Sequence, residues 1–130
     1  MANEFTISTS LQCTKGSFNF LRNFSGNPNF NGVCLFHEVE AVPIASTPAA
    51  SLNVSIGGTG TPGIAVFTNL SNVYNIKLFA NADTSACIML KPGESFVVRV
   101  ATVTWKAQAV LVVGATPDSI SNLEVAVFED

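Results

Sequence analysis

The sequence predicts an all-β protein, a single β-sandwich or jelly roll of about 8–10 short, mainly antiparallel strands, and three observations carry that prediction. Apolar and polar residues alternate with period 2 over many short runs, the pattern of a strand with one buried face. Turn formers (Gly, Pro, Asn, Asp) fall in the gaps between those runs. Within the runs β-branched residues and Phe dominate, and no segment shows a 3.6-residue apolar period with helix caps. An all-β chain closes its core as a sandwich, a jelly roll or a barrel. The absence of an internal repeat or heptad run favours a compact sandwich.

The elements follow in chain order. Phe5, Ile7, Thr9 and Leu11 alternate with polar residues, a turn follows at Thr14-Lys15-Gly16, and Phe18 and Phe20 resume the alternation, so residues 1–22 are predicted to form an N-terminal hairpin or arm. Residues 23–32, NFSGNPNFNG, read as an Asn/Gly-rich loop. An aromatic ring in such a loop either tucks beneath it or anchors a partner, which makes Phe24 and Phe30 the candidate interface residues. Residues 33–42 predict a strand passing into a looser extended segment, since Pro43 and Pro48 restrict pairing. Leu52, Val54 and Ile56 mark the next strand, closed by the turn-forming GGTGTPG of residues 57–63. Further strands are predicted at 64–69, 74–80, 86–90, 94–101, 104–113 and 123–128. Between two of them, Pro92 fixes its own backbone angle and Gly93 accepts a positive one, the requirement of the central positions of a type II turn, so both are assigned a structural turn.

With 130 residues the chain is long enough for one domain, residues 1–130, with a real core. Charged residues make up only 12%, about half the usual share, so most polar surface comes from Ser, Thr and Asn. Six Lys+Arg against nine Asp+Glu give no clustered cations to hold a phosphate backbone, which argues against nucleic acid as a partner. No apolar run approaches the roughly 18 residues of a membrane span. MANEFTISTS has neither a basic start nor an apolar signal core, so the expected site of synthesis is a cytosol.

Candidate chemistry is sparse. His37 is the one histidine, with neither a nucleophile elbow nor a second imidazole to work with, and reads as a surface or structural residue. Cys13, Cys34 and Cys87 lie singly in strand-like runs and read as buried reduced thiols rather than metal ligands. The GGTGTPG run leads into a strand rather than a helix, unlike a phosphate-binding loop. Glu38 and Glu40 share one face of a strand, expected to be solvated. Glu124, Glu129 and Asp130 read as charges protecting an edge strand. Most of the ten Phe rings are expected in the core, whereas Trp105 and Tyr74 with the Asn-rich loop offer an alternative use as a shallow sugar platform. No catalytic set, metal or cofactor is expected, and the protein is expected not to be an enzyme.

The runs GTPGIAVFTNLSNVYNIKLF, IMLKPGESFVVRV and VTWKAQAVLVV together resemble a pattern in small structural proteins of tailed-bacteriophage particles. The likeness covers roughly residues 57–113: a Gly-led strand ending in Asn69, a polar turn with Ser71 and Asn72, a second strand antiparallel to the first, the corner from Leu90 to Glu94, a strand with a basic end, and the aromatic-Lys-Ala run from Trp105 to Ala107. The first sixty residues match only as generic strands. The resemblance implies a virion protein of the capsid decoration (cement) or head-fibre type, made in the host cytoplasm. It would sit on the capsid surface against the major capsid protein, as a homo-oligomer, a trimer where it occupies a local threefold. A tail- or head-fibre module for receptor or carbohydrate binding is the alternative.

Overall fold

Among the described residues period-2 alternation becomes ten strands: β1 (Ile7–Lys15), β2 (Phe18–Gly26), β3 (Leu35–Ala41), β4 (Leu52–Val54), β5 (Pro62–Asn69), β6 (Tyr74–Ala80), β7 (Ile88–Leu90), β8 (Ser95–Arg99), β9 (Trp105–Leu111) and β10 (Asn122–Glu129). The structure, a computed structural model, describes residues 7–15, 18–26, 35–44, 51–56, 62–80, 85–100, 104–117 and 121–129. No helix occurs among them.

Strands β3 to β10 form two four-stranded antiparallel sheets, sheet 1 in the order β3-β10-β5-β8 and sheet 2 in the order β4-β9-β6-β7. Apart from the β6-β7 hairpin, every consecutive pair of these strands lies in different sheets, so the chain winds repeatedly across the core. Eight strands in this order are the winding of a jelly roll. β1 and β2 stand apart as a two-stranded sheet of their own, paired along their whole length from Ile7↔Gly26 to Lys15↔Phe18.

The core lies between the inner faces of the two sheets. Ala65 and Phe67 of β5 and Leu123, Val125 and Val127 of β10 meet Tyr74, Ile76 and Leu78 of β6 and Trp105, Ala107 and Ala109 of β9. Ile76 and Leu78 lie directly opposite Ala109 and Ala107, so large side chains sit beside small ones within sheet 2, the pattern that lets two inner faces interdigitate. Phe67 and Trp105 join the sheets, ring centroids 5.4 Å apart and tilted by 47°.

Several expectations change. Strand β2 continues to Gly26, so Asn23 to Gly26 belong to a ladder and not to a loop, because β1 supplies a partner for each of them. β5 and β6 do not pair, since the chain crosses from sheet 1 to sheet 2 at Asn69. β10 lies inside sheet 1, between β3 and β5, so Glu124 does not guard an edge. Glu38 and Glu40 lie opposite Val125 and Leu123, which places them on the core side of β3. Glu38 escapes to solvent from this edge strand, whereas Glu40 is half-buried. Cys87 is exposed rather than buried, in the bend that precedes β7.

Candidate functional site

One end of the sandwich gathers the connections β5-β6, β7-β8 and β9-β10, and a buried asparagine ties the first two together. Asn69 is inaccessible to solvent. Its Nδ2 donates to the carbonyls of Tyr74 at 2.8 Å and Leu90 at 3.0 Å, and its Oδ1 accepts from the Ser71 N–H at 2.9 Å. Its main chain joins the other corner, donating to the Glu94 carbonyl at 2.9 Å and accepting from the Gly93 N–H at 3.0 Å. Ser71 Oγ accepts from the N–H groups of Val73 at 3.2 Å and Tyr74 at 3.0 Å. An amide carries two donors and an acceptor on one rigid plane, so a single side chain closes both sheet crossings.

Pro92 and Gly93 form the apex of the β7-β8 connection. Gly93 has φ of 76°, and the Glu94 N–H donates to the Lys91 carbonyl at 3.0 Å, the geometry of a type II turn. The Glu94 carboxylate reaches back to accept the Lys91 N–H at 2.8 Å. A second turn of the same kind follows β9, with Gly114 at φ of 83° and the Ala115 N–H on the Val112 carbonyl at 3.0 Å.

This end presents aliphatic side chains where turns usually carry polar ones. Leu70 is 46% exposed beside the asparagine, Val113 is 100% exposed at its turn, and Ile44, where the chain leaves β3 and bridges to Ala109 of β9, is 53% exposed. A run of main-chain bonds holds these segments together: Leu70 N–H to Asn122 O, Val42 N–H to Ser121 O, Ala109 N–H to Pro43 O and Val112 N–H to Val73 O.

The outer face of sheet 1 is a second surface. Val39 of β3 and Val97 of β8 are 48% and 42% exposed; Val39 lies opposite Glu124, and Val66 and Ala126 lie between Val97 and His37 in the register. His37 Nε2 meets Glu124 Oε1 at 2.8 Å on the same face, so the partner of the histidine is the carboxylate of the neighbouring strand and not Glu38 beside it in the chain. At the edge, Glu40 Oε1 accepts the Ser55 N–H at 2.8 Å. Burial raises the Glu40 carboxyl above the ordinary glutamate value; the Ser55 N–H opposes this and the nearby Glu38 charge adds to it.

Of the residues singled out from sequence, Phe24 stands in β2 opposite Thr9, and Phe30 and Cys34 lie outside the described residues. Residues 57–61 of the GGTGTPG run also lie outside them, while Pro62 and Gly63 open β5. Tyr74 and Trp105 are buried in the core, so neither ring is available as a sugar platform. Among the described residues no group of three His, Cys, Asp or Glu is placed to hold a metal. Sequence reasoning missed Ile44, Leu70, Val113 and Asn69. The available signal was an apolar residue inside each polar turn, Leu70 between Asn69 and Ser71 and Val113 before Gly114.

Fold and surfaces define an eight-stranded jelly roll with a rigid apolar loop end and a half-apolar outer sheet. No protein-family model, curated protein or solved structure matches this chain.

Proposed function

We propose that this chain is a non-enzymatic structural protein of a tailed-bacteriophage virion that decorates and stabilises the capsid by binding across major capsid protein subunits. The observation that carries the reading is the loop end, where main-chain hydrogen bonds between the loops, with the buried Asn69 network beside Leu70, frame the exposed Ile44, Leu70 and Val113. Exposed aliphatics on a rigid frame suit protein contact, because little ordering entropy is lost when they are buried. Jelly rolls serve in viral capsid domains, and the 57–113 pattern resembles phage structural proteins, so fold and pattern lean the same way.

Burying one such side chain contributes about 1.5–3 kcal/mol at most, so a single tip binds weakly. A homo-oligomer, a trimer in this reading, presents several tips at once, and the second and third contacts are then intramolecular. Such a protein is made in the host cytoplasm and ends on the capsid surface.

The test mixes the full chain with phage heads that lack it, followed by sedimentation and thermal release of DNA. Saturable binding with a raised release temperature, lost in Leu70→Asp and Val113→Asp, is the expected result. Heads that neither bind the chain nor gain stability overturn the reading and leave a fibre adhesin to be tested on a glycan array.

A further inference from the structure

Among the described strands the two four-stranded sheets end in four edges, β3 and β8 for sheet 1 and β4 and β7 for sheet 2. Three of them are guarded against adding another strand. β4 and β7 are only three residues long. β3 places Glu38 and Glu40 on its core side, where an added strand would have to cover them. β8 has no such guard. It contains neither proline nor lysine, and its one charge, Arg99, stands at its end.

The register of β8 shows what this edge offers. The Val100 N–H donates to the Gly63 carbonyl at 2.9 Å and the Asn69 N–H to the Glu94 carbonyl at 2.9 Å, and both pairs continue the β5-β8 register. Alternate residues of an antiparallel strand bond to the same neighbour, so Glu94, Phe96, Val98 and Val100 bond toward β5. The main-chain groups of Ser95 and Val97 therefore point the other way, out of the sheet. Val97 is 42% exposed, with exposed Ser95 and Arg99 on either side of it. On the core side Phe96 and Val98 pack against the core yet are only partly buried. Outward N–H and C=O groups among half-covered apolar side chains are the complement of another strand.

We infer that β8 is a two-fold contact, pairing antiparallel with β8 of a second copy of this chain about Val97. The strand selects this occupant because it complements itself. With Val97 opposite Val97, Ser95 falls opposite Arg99 and Phe96 opposite Val98, so polar meets polar on the outer face and apolar meets apolar on the core side. The two Arg99 residues are then four positions apart along the pair, ~14 Å, beyond the ~8 Å screening length of physiological salt. Pairing with β3 of another copy, Val97 opposite Val39, would instead set Phe96 and Val98 against Glu40 and Glu38. A β8-β8 contact also closes at two copies, whereas a head-to-tail β8-β3 contact leaves a free edge at each end.

Area sets the strength of the pair. A five-residue strand is ~17 Å long and, with side chains on both faces, ~10 Å deep, so the contact buries ~340 Å² over both copies. That is about a quarter of the ~1,200 Å² at which stable interfaces begin, so the pair is reversible and forms at high concentration. Antiparallel pairing points the two loop ends in opposite directions, so a copy held by its loop end carries a second whose loop end is free. This symmetry is separate from the trimer of the capsid reading, and the pairing does not depend on that reading.

Sedimentation equilibrium of the full chain from about 10 μM to about 1 mM tests it. Wild type passes from monomer to dimer over this range. Val97→Pro removes the central donor, and because that N–H faces away from β5 the sandwich keeps its ladder. It weakens association at least ~10-fold, as do Val97→Lys and Val97→Glu, which set like charges opposite each other. Val39→Lys on the guarded edge leaves association unchanged. Far-ultraviolet dichroism and Trp105 fluorescence check that the sandwich is intact in each.

The decisive sample mixes Val97→Lys with Val97→Glu. A two-fold contact sets position 97 opposite itself, so the mixture associates more tightly than either variant alone. A wild type that stays monomeric at the top of the range, a mixture no tighter than its components, or equal losses from Val39→Lys and Val97→Lys overturns the pairing. Association without head binding refutes the capsid reading and spares the pairing; head binding by a chain that stays monomeric does the reverse.

Discussion

The N-terminal hairpin and the Asn69 corner are built from the same alternating, turn-punctuated sequence, yet they are opposite in how they are held. At the corner a single inaccessible side chain makes three hydrogen bonds to backbone groups and its main chain makes two more, so five groups at two connections are satisfied at once. The hairpin has its own ladder and pairs with no strand of the two four-stranded sheets. Alternation specifies that a strand has one apolar side. Whether that side becomes core depends on a facing sheet, which the topology gives to β5, β6, β9 and β10.

Breaking the corner has the largest expected effect. Asn69→Ala strands the carbonyls of Tyr74 and Leu90 and the N–H of Ser71 in a buried site. With about 1–3 kcal/mol per orphaned group, and partial rescue by water, the expected loss is about 3–5 kcal/mol, read as the denaturant midpoint. Asn69→Asp keeps the acceptor but sets a carboxylate against two carbonyls, so it is no milder at neutral pH. A loss below about 1 kcal/mol for the alanine variant would mean that the network is not what closes this end.

Gly93→Ala tests the same corner through its backbone. A methyl group there meets no atom within 4 Å, so steric room is not at issue and the cost is that of holding a non-glycine residue at φ of 76°. The expected loss is about 1–2 kcal/mol. Gly93→Asn should cost less, since asparagine tolerates the left-handed region.

For the hairpin the expected result is a small free energy. Amide exchange across the β1-β2 ladder should occur by local opening, with far less protection than in β5 or β10, whose central amides should exchange near the global unfolding free energy. Equal protection of hairpin and sandwich would show that the ribbon is held by more than its own ladder.

How much of this was legible in the sequence depends on the range of the interaction concerned. Strand positions follow from alternation, and the β7-β8 turn from Pro92 and Gly93, because both are local. Sheet membership was not legible: the run from 63 to 79 reads as two strands with a short turn, and only the partners Asn122, Leu90 and Glu94, distant in sequence, show that Asn69 carries the chain across the sandwich. Glu38 and Glu40 likewise read as a solvated pair, since their side of β3 is set by its register with β10 at the other end of the chain. Leu70 and Val113 were hidden because strand-end and turn-apex aliphatics look alike until the ladder is drawn.

Glu40 gives the smallest effect and the one with a definite sign. Its carboxyl is raised above the ordinary value in the folded chain, chiefly by burial. Between the ordinary and the raised value the folded state therefore holds more protons than the unfolded state. Stability contributed at this site falls as pH rises through that window and stays at the lower level above it. Glu40→Gln removes this slope and should leave the protein slightly more stable than wild type at neutral pH, by less than about 1 kcal/mol, since glutamine keeps an acceptor for the Ser55 N–H. Glu38→Gln, which removes only the neighbouring charge, should flatten the slope less. Thermal midpoints of the three proteins across the acid range distinguish these cases, and a wild-type slope of opposite sign would mean that the Ser55 hydrogen bond outweighs burial.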